Sequence, residues 1–221
     1  MTTVVDILIK YHEGFLQGLA VTFQLFIIIA VSGIFIGGAV GWAGARNKEI
    51  KILLKIISFF LAGIPVLVFL MWMHYPLQAI LRVVVDPFYT AALTLSVINI
   101  FAVADLVCKT MEDFPEQYLI AAKVNGLTAR QTIFKIELPL IFRQAFPGLI
   151  MLQVVMLHMT IFASLISVEE IFRVAQRINA SIYKPVEIYT ALGVFFLAVS
   201  LPVNGLALWL KRKYTRNISE S

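Results

Sequence analysis

The chain has 221 residues, of which 60% are hydrophobic and 14% charged, and it carries a net charge of +5 at neutral pH. Mean hydropathy is +0.90. A soluble domain carries about a quarter charged residues, so the composition sets aside a soluble fold and points to an integral membrane protein of one domain, residues 1–221. The positive charge is better explained by membrane topology than by a nucleic-acid partner. A single cysteine, Cys108, leaves no intramolecular disulfide and no metal-ligand spacing.

The chain reads as all-α with five spans. Met1–Gln17 is a short amphipathic lead-in without the basic run of a cleavable signal peptide. The first span is expected over 19–42. Gly33, Gly37 and Gly41 recur in it every four residues, a small-residue face that lets another backbone approach closely. A basic loop follows, with Arg46, Lys48, Lys51 and Lys55. The second span, 52–72, contains Pro65, which should kink it. The third, 88–108, carries Asn99 and Asp105, and the place of Asp105 near the end of the span favours an interface residue.

Residues 113–139 break the apolar pattern. Pro115 is expected in the first turn of a short helix that runs to Asn125, and Gly126 stands where a left-handed residue ends a helix. Thr128 and Gln131 have the spacing of a capping box for a second short helix, closed by Pro139. Arms of roughly ten residues rise only about 15 Å, too little to cross a bilayer. The hairpin therefore lies at a membrane surface.

The fourth span, 146–166, holds Gln153, His158, Thr160 and Ser164, which should point into the bundle. Between 167 and 189 a surface helix and a turn at Lys184-Pro185 are expected. The fifth span, 188–210, should be broken by Pro202 and Asn204, and a polar tail follows. The glycine face of the first span and the polar fourth span both suggest dimeric packing, with a second copy or a related chain.

Five spans put the termini on opposite sides. With the N-terminus outside, thirteen of the 18 Lys and Arg residues fall inside: Arg46, Lys48, Lys51, Lys55, Lys109, Lys123, Arg130, Lys135, Arg143, Lys211, Arg212, Lys213 and Arg216. By the positive-inside rule the hairpin and the tail are cytoplasmic.

The spacing of the hairpin is more specific than its shape. Ala121-Ala122, three residues, Gly126, nine residues, then Ile136-Glu137-Leu138-Pro139 resembles the cytoplasmic loop of binding-protein-dependent ABC importer permeases, Glu-Ala-Ala-x3-Gly-x9-Ile-x-Leu-Pro. Ile120 stands at the place of its Glu. Gly18 to Thr22 resembles the opening Gly-x-x-x-Thr of the polar amino acid branch, Ala62-Gly63-Ile64-Pro65 is similar to its Arg-Gly-Thr-Pro, and His158-Met159-Thr160 aligns with Lys-Asp-Thr. Ile166 to Gln176 is close to Ile-Gly-Val-Pro-Glu-Leu-Leu-Arg-Ala-Ala-Gln. Asp105 stands at a usual Glu, and Cys108 at a usual Arg.

This resemblance implies a type I importer permease in a bacterial plasma (inner) membrane. Ala121, Ala122, Gly126, Ile136, Leu138 and Pro139 would couple it to ABC ATPase subunits. Pro65, Asp105, His158, Met159 and Thr160 would line the substrate pathway. Neighbours would be lipid, a second permease subunit and a periplasmic or extracellular solute-binding protein. No cofactor is expected in this chain, since Mg-ATP would be bound by the partner ATPase, and no phosphate-binding loop is present. With Met159 at the Asp position, arginine, lysine and histidine should be poor substrates. Two alternatives stay open: a regulatory permease paralogue that has lost family charges at Ala62, Cys108, Ile120 and Met159, and a secondary transporter not driven by ATP. An intramembrane enzyme is disfavoured, because the three histidines, His12, His74 and His158, form no zinc-protease motif. His158 reads as a hydrogen-bonded bundle residue.

Overall fold

Residues 4–215 are described by the structure, a computed structural model. The expected polar tail with Arg216, and the first three residues of the lead-in, lie outside the described residues. Helices α1 (Val4–Lys10), α2 (His12–Arg46), α3 (Lys48–Gly63), α4 (Val66–His74), α5 (Pro76–Leu81), α6 (Pro87–Glu112), α7 (Glu116–Val124), α8 (Ala129–Ile166), α9 (Ile171–Ile182) and α10 (Pro185–Thr215) make up the fold. No strand occurs among the described residues. Among the same residues α2, α6, α8 and α10 are each long and apolar enough to cross a membrane. The pair Lys48–Gly63 and Val66–Leu81, bent by 95°, makes a fifth if counted as one broken span.

The long helices outrun the apolar windows that announce them. The 35 residues of α2 rise about 52 Å, against roughly 30 Å of hydrocarbon. Its polar ends, with His12, Glu13 and Arg46, are helical because the backbone bonds that make a helix continue past the bilayer. The second span is corrected most. Pro65 does not merely kink a helix from 52 to 72: the chain leaves helical geometry at Ile64 (φ −99°, ψ 124°) and restarts at Val66. The residue before a proline is pushed to extended geometry, and Gly63 and Ile64 give α3 no helix-favouring alternative there. In the fifth span the expected break at Pro202 and Asn204 is absent. Helix α10 runs straight through both, because a proline removes one ladder bond and an apolar helix keeps the rest.

Two apolar cores hold the bundle. Leu25, Ile29, Leu70, Leu95, Met156 and Ile166 join α2, α4, α6 and α8. Ile7, Ile171, Val174, Ile178, Ile188 and Leu192 join α1, α9 and the start of α10. Between α2 and α6 the contact is backbone to backbone. A Cβ built on Gly37 would lie 2.5 Å from the Ile100 carbonyl oxygen, and one on Gly41 2.5 Å from that of Ala104. The glycine face is therefore used inside the chain, against the third span, and is not a dimer surface as its spacing suggests. Gln153 is likewise engaged internally. The buried Asn99 amide donates to the Ile29 carbonyl (2.8 Å) and to Gln153 Oε1 (3.0 Å), and Gln153 Nε2 returns a bond to Asn99 Oδ1 at 3.3 Å. Asn99 meets α2 where it widens into a π-turn over Gly33–Gly37.

Helix α9 is amphipathic: Ile171, Val174, Ala175 and Ile178 are buried, Arg173, Gln176 and Asn179 half-buried, and Arg177 and Ser181 exposed. Its first three amides are all satisfied. Ile171 N–H donates to the Thr22 hydroxyl (3.1 Å), which in turn donates to the Gly18 carbonyl (2.9 Å). Phe172 N–H and Arg173 N–H donate to the Glu170 carboxylate at 2.9 and 2.8 Å. Gly18 has no room for a side chain, since its Cβ would stand 2.8 Å from Val174 Cγ2. The Gly18 and Thr22 pair thus serves as the seat for α9.

Glu170 is fully buried. Burial raises its carboxyl from 4.5 to about 7, against the pull of the Phe172 and Arg173 amides, and the negative charge of Glu169 adds to the rise. A raised folded-state pKa means that the native state holds the extra proton between those values. The stability from this group is complete below pH 4.5 and falls as pH rises towards about 7. The loss is about 3 kcal/mol, at roughly 1.4 kcal/mol per pKa unit. Glu170→Gln keeps an oxygen for the cap and cannot ionise. Compared by thermal melting in detergent, the wild type should lose stability relative to the variant across this window. Parallel curves would show that folding leaves the Glu170 carboxyl at its ordinary value.

Candidate functional site

The hairpin is built from local rules. Pro115 (φ −64°, ψ 121°) is the residue before α7, one place earlier than the first-turn position expected for it. Helix α7 ends in a Schellman pair: Gly126 N–H donates to the Lys123 carbonyl and Leu127 N–H to that of Ala122, each at 3.1 Å. Gly126 has φ +71°, the left-handed value expected of it. The capping box is also present, with Gln131 N–H donating to the Thr128 hydroxyl at 3.3 Å and Thr128 N–H to Gln131 Oε1 at 2.9 Å. Residues 125–128 are thus tied from both sides, which holds the angle between α7 and α8.

The second arm differs from expectation. Pro139 does not close a short helix, and α8 continues from Ala129 to Ile166 as one rod. The reason sits just before the proline. Ile133–Glu137 is a π-turn in which Leu138 N–H reaches back to the Ile133 carbonyl. Its wider spacing accommodates both the ring and the missing donor of Pro139. The hairpin is therefore one short helix joined by a tight turn to the end of a spanning helix.

Of the residues expected to couple, Ala121, Ala122 and Gly126 fall on α7 and its turn, and Ile136, Leu138 and Pro139 on the first turns of α8. Ala122 is buried, whereas Ala121, Gly126 and Leu138 are exposed. Ile120 and Val124, one turn apart on α7, are 57% and 81% exposed, so α7 presents an apolar outer face. Arg46 ties the first inter-helix loop to the hairpin: its guanidinium bonds the Glu137 carboxylate and lies 5.1 Å over the Trp42 ring. Lys51 and Lys55 pair with Glu112 at 2.8 and 3.8 Å at this same end.

The residues expected on the substrate pathway divide between two clefts. Pro65, Asp105 and Met159 line a cleft of 530 Å³ between the α3–α4 break, α6 and α8. Asp105 and His158 line a second cleft of 710 Å³ with Lys109, Asp113 and Asn204. Asp105 belongs to both and forms an ion pair with Lys109 at 2.6 Å. His158 Nε2 lies 2.7 Å from the Ser200 hydroxyl, which donates to the Phe196 carbonyl at 2.5 Å. Thr160 lines neither cleft; it is buried and donates to the Leu157 carbonyl at 2.7 Å. Among the described residues no cluster of His, Cys, Asp and Glu could hold a metal.

Sequence reasoning missed Arg46–Glu137, the Asn99–Gln153 pair and the Glu170 cap. The first two join residues far apart in the chain. The third was hidden because Glu is not among the favoured N-cap residues.

Residues 33–216 match the family described as binding-protein-dependent transport system inner membrane component. The histidine/lysine/arginine/ornithine transport system permease protein HisQ of Salmonella typhimurium is 27% identical over 219 residues, covering 93% of this chain and 95% of that protein. The L-cystine transport system permease protein TcyB of Bacillus subtilis is 30% identical over 167 residues, 74% of this chain and 70% of that one. Among solved structures, an amino acid ABC transporter superposes with a TM-score of 0.82 at 20% identity, covering 93% of this chain and 96% of that one. The MetNI methionine ABC transporter gives 0.72 at 16% identity, covering 93% and 98%. The glycine face of α2, the broken second span and the Gly126 hairpin all lie in the matched segment, and the chain belongs to the binding-protein-dependent transport system inner membrane component family.

Proposed function

We propose that this chain is the permease subunit of an ATP-driven importer of amino acids, with its hairpin on the cytoplasmic side and its N-terminus outside. The observation that carries the reading is the family match over 33–216 together with an exposed hairpin whose turn is set by Gly126 at φ +71°. The amino acid class is supported by the names of the relatives and by near-complete coverage of HisQ. ABC ATPase subunits would grip α7 and the start of α8, and they would bind and hydrolyse Mg-ATP. A solute-binding protein would deliver substrate on the other side. Closure of the ATPases would move the hairpins, and the rigid α8 rod would carry that motion from the hairpin to the two clefts.

The test is a tagged purification with the co-purifying subunits identified by mass, followed by amino acid uptake in proteoliposomes with and without Mg-ATP. The expected result is a co-purified ATPase and ATP-dependent uptake. Uptake without ATP would instead identify a secondary transporter. Assembly with an ATPase but no uptake of any amino acid would identify a regulatory paralogue.

A further inference from the structure

The 530 Å³ cleft at the α3–α4 break is unusual for its chemistry. Its walls are apolar: Ile98 and Phe101 from α6, Val155, Met156 and Met159 from α8. Two polar groups interrupt them. The Ser58 hydroxyl is buried and has no hydrogen-bond partner. The Asp105 carboxylate is neutralised by one cation, Lys109, at 2.6 Å. A buried hydroxyl left unpaired costs free energy until something bonds it. The break itself is open, since no side chain caps α4. Broken helices in transporters place polar backbone beside the transported solute.

We infer that this cleft takes an amino acid with an uncharged, apolar side chain, its ammonium on Asp105 and its side chain against Met156 and Met159. The inference rests on the importer reading above and names the substrate class of that same site. Size and charge both support it. A zwitterion brings one positive and one negative group; within the cleft the Asp105 carboxylate can meet the first and the Ser58 hydroxyl the second, while Lys109 lines the neighbouring 710 Å³ cleft. An arginine or lysine brings a second positive charge, and no second carboxylate lines the cleft. Burying an unpaired charge there is strongly unfavourable. The two methionines supply flexible, polarisable surface that adapts to aliphatic and thioether side chains. The cationic substrates named for HisQ do not transfer, because the lining residues of this chain decide the fit.

The experiment uses the complex as it co-purifies, in lipid nanodiscs and without solute-binding protein, so that only the permease selects. Binding of radiolabelled L-methionine is measured with L-leucine, L-arginine and L-glutamate as competitors. L-leucine should displace the label, and L-arginine should do so at least about tenfold more weakly. Met159→Asp should invert the order by adding the missing carboxylate, with L-arginine gaining about tenfold or more. Asp105→Asn should abolish L-methionine binding while the melting temperature holds. Equal competition by L-arginine in the wild type, no binding of L-methionine, or an unchanged order in Met159→Asp would each overturn the inference. The importer reading is judged separately, by whether an ATPase co-purifies.

Discussion

A leucine at position 37 is expected to leave no folded protein to purify. The Gly37 Cβ alone would stand 2.5 Å from the Ile100 carbonyl oxygen and 2.9 Å from Val103 Cβ, so α2 and α6 must separate to admit it. Those contacts are backbone and a β-branched carbon, neither of which can swing aside. Separation would also pull Asn99 from the Ile29 carbonyl and leave both groups unpaired at membrane depth. Overpacking of this kind costs about 3 kcal/mol or more, and each stranded polar group adds roughly 1–3 kcal/mol. Gly38 is the internal control: no atom from a neighbouring helix lies within 4 Å of its Cβ position, so Gly38→Leu should purify like the wild type. Yield and monodispersity in size-exclusion chromatography read both variants. A well-behaved Gly37→Leu protein would mean that α2 and α6 do not meet at this face.

The second large effect is expected on coupling rather than on folding. Gly126→Val places a β-branched residue at φ +71°, although nothing crowds its Cβ. The cost is conformational alone, about 1–2 kcal/mol or more for a branched side chain. It falls on the turn that joins α7 to α8, which contributes no residue to either apolar core. The variant should therefore assemble with its ATPase and lose most ATP-driven uptake. Gly126→Asn should retain more, because Asn tolerates the left-handed region. Normal uptake by Gly126→Val would show that the angle of the turn is irrelevant to transport.

The features read correctly in advance are those decided within a few residues. The left-handed Gly126 and the Thr128–Gln131 box follow from backbone sterics and short-range hydrogen bonds; the same sterics disturb the helix at Pro65, where a kink was expected and the helix breaks outright. The misread ones also involve familiar residues, but in a setting that neighbouring residues do not reveal. Pro139 and Pro202 read as helix breakers, yet α8 absorbs one in a π-turn and α10 runs through the other. The Gly33, Gly37 and Gly41 repeat announced a close helix contact, and its period could not say whether the partner was another chain or α6 of the same one. Asp105 and Met159 share a cleft with Pro65 only because α3, α6 and α8 converge there.

By itself, the order of residues determined that this protein lives in a membrane, that it is helical, and that a polar hairpin with a glycine pivot interrupts its spans. These are consequences of hydropathy, helical period and local dihedral preference, which act along the chain. The tertiary structure alone decided that the glycine face meets α6, that Glu137 is tied to Arg46, that Thr22 seats α9, and that Glu170 is buried. Each of these joins or surrounds residues by packing of helices distant in sequence, where shape and burial choose the partner.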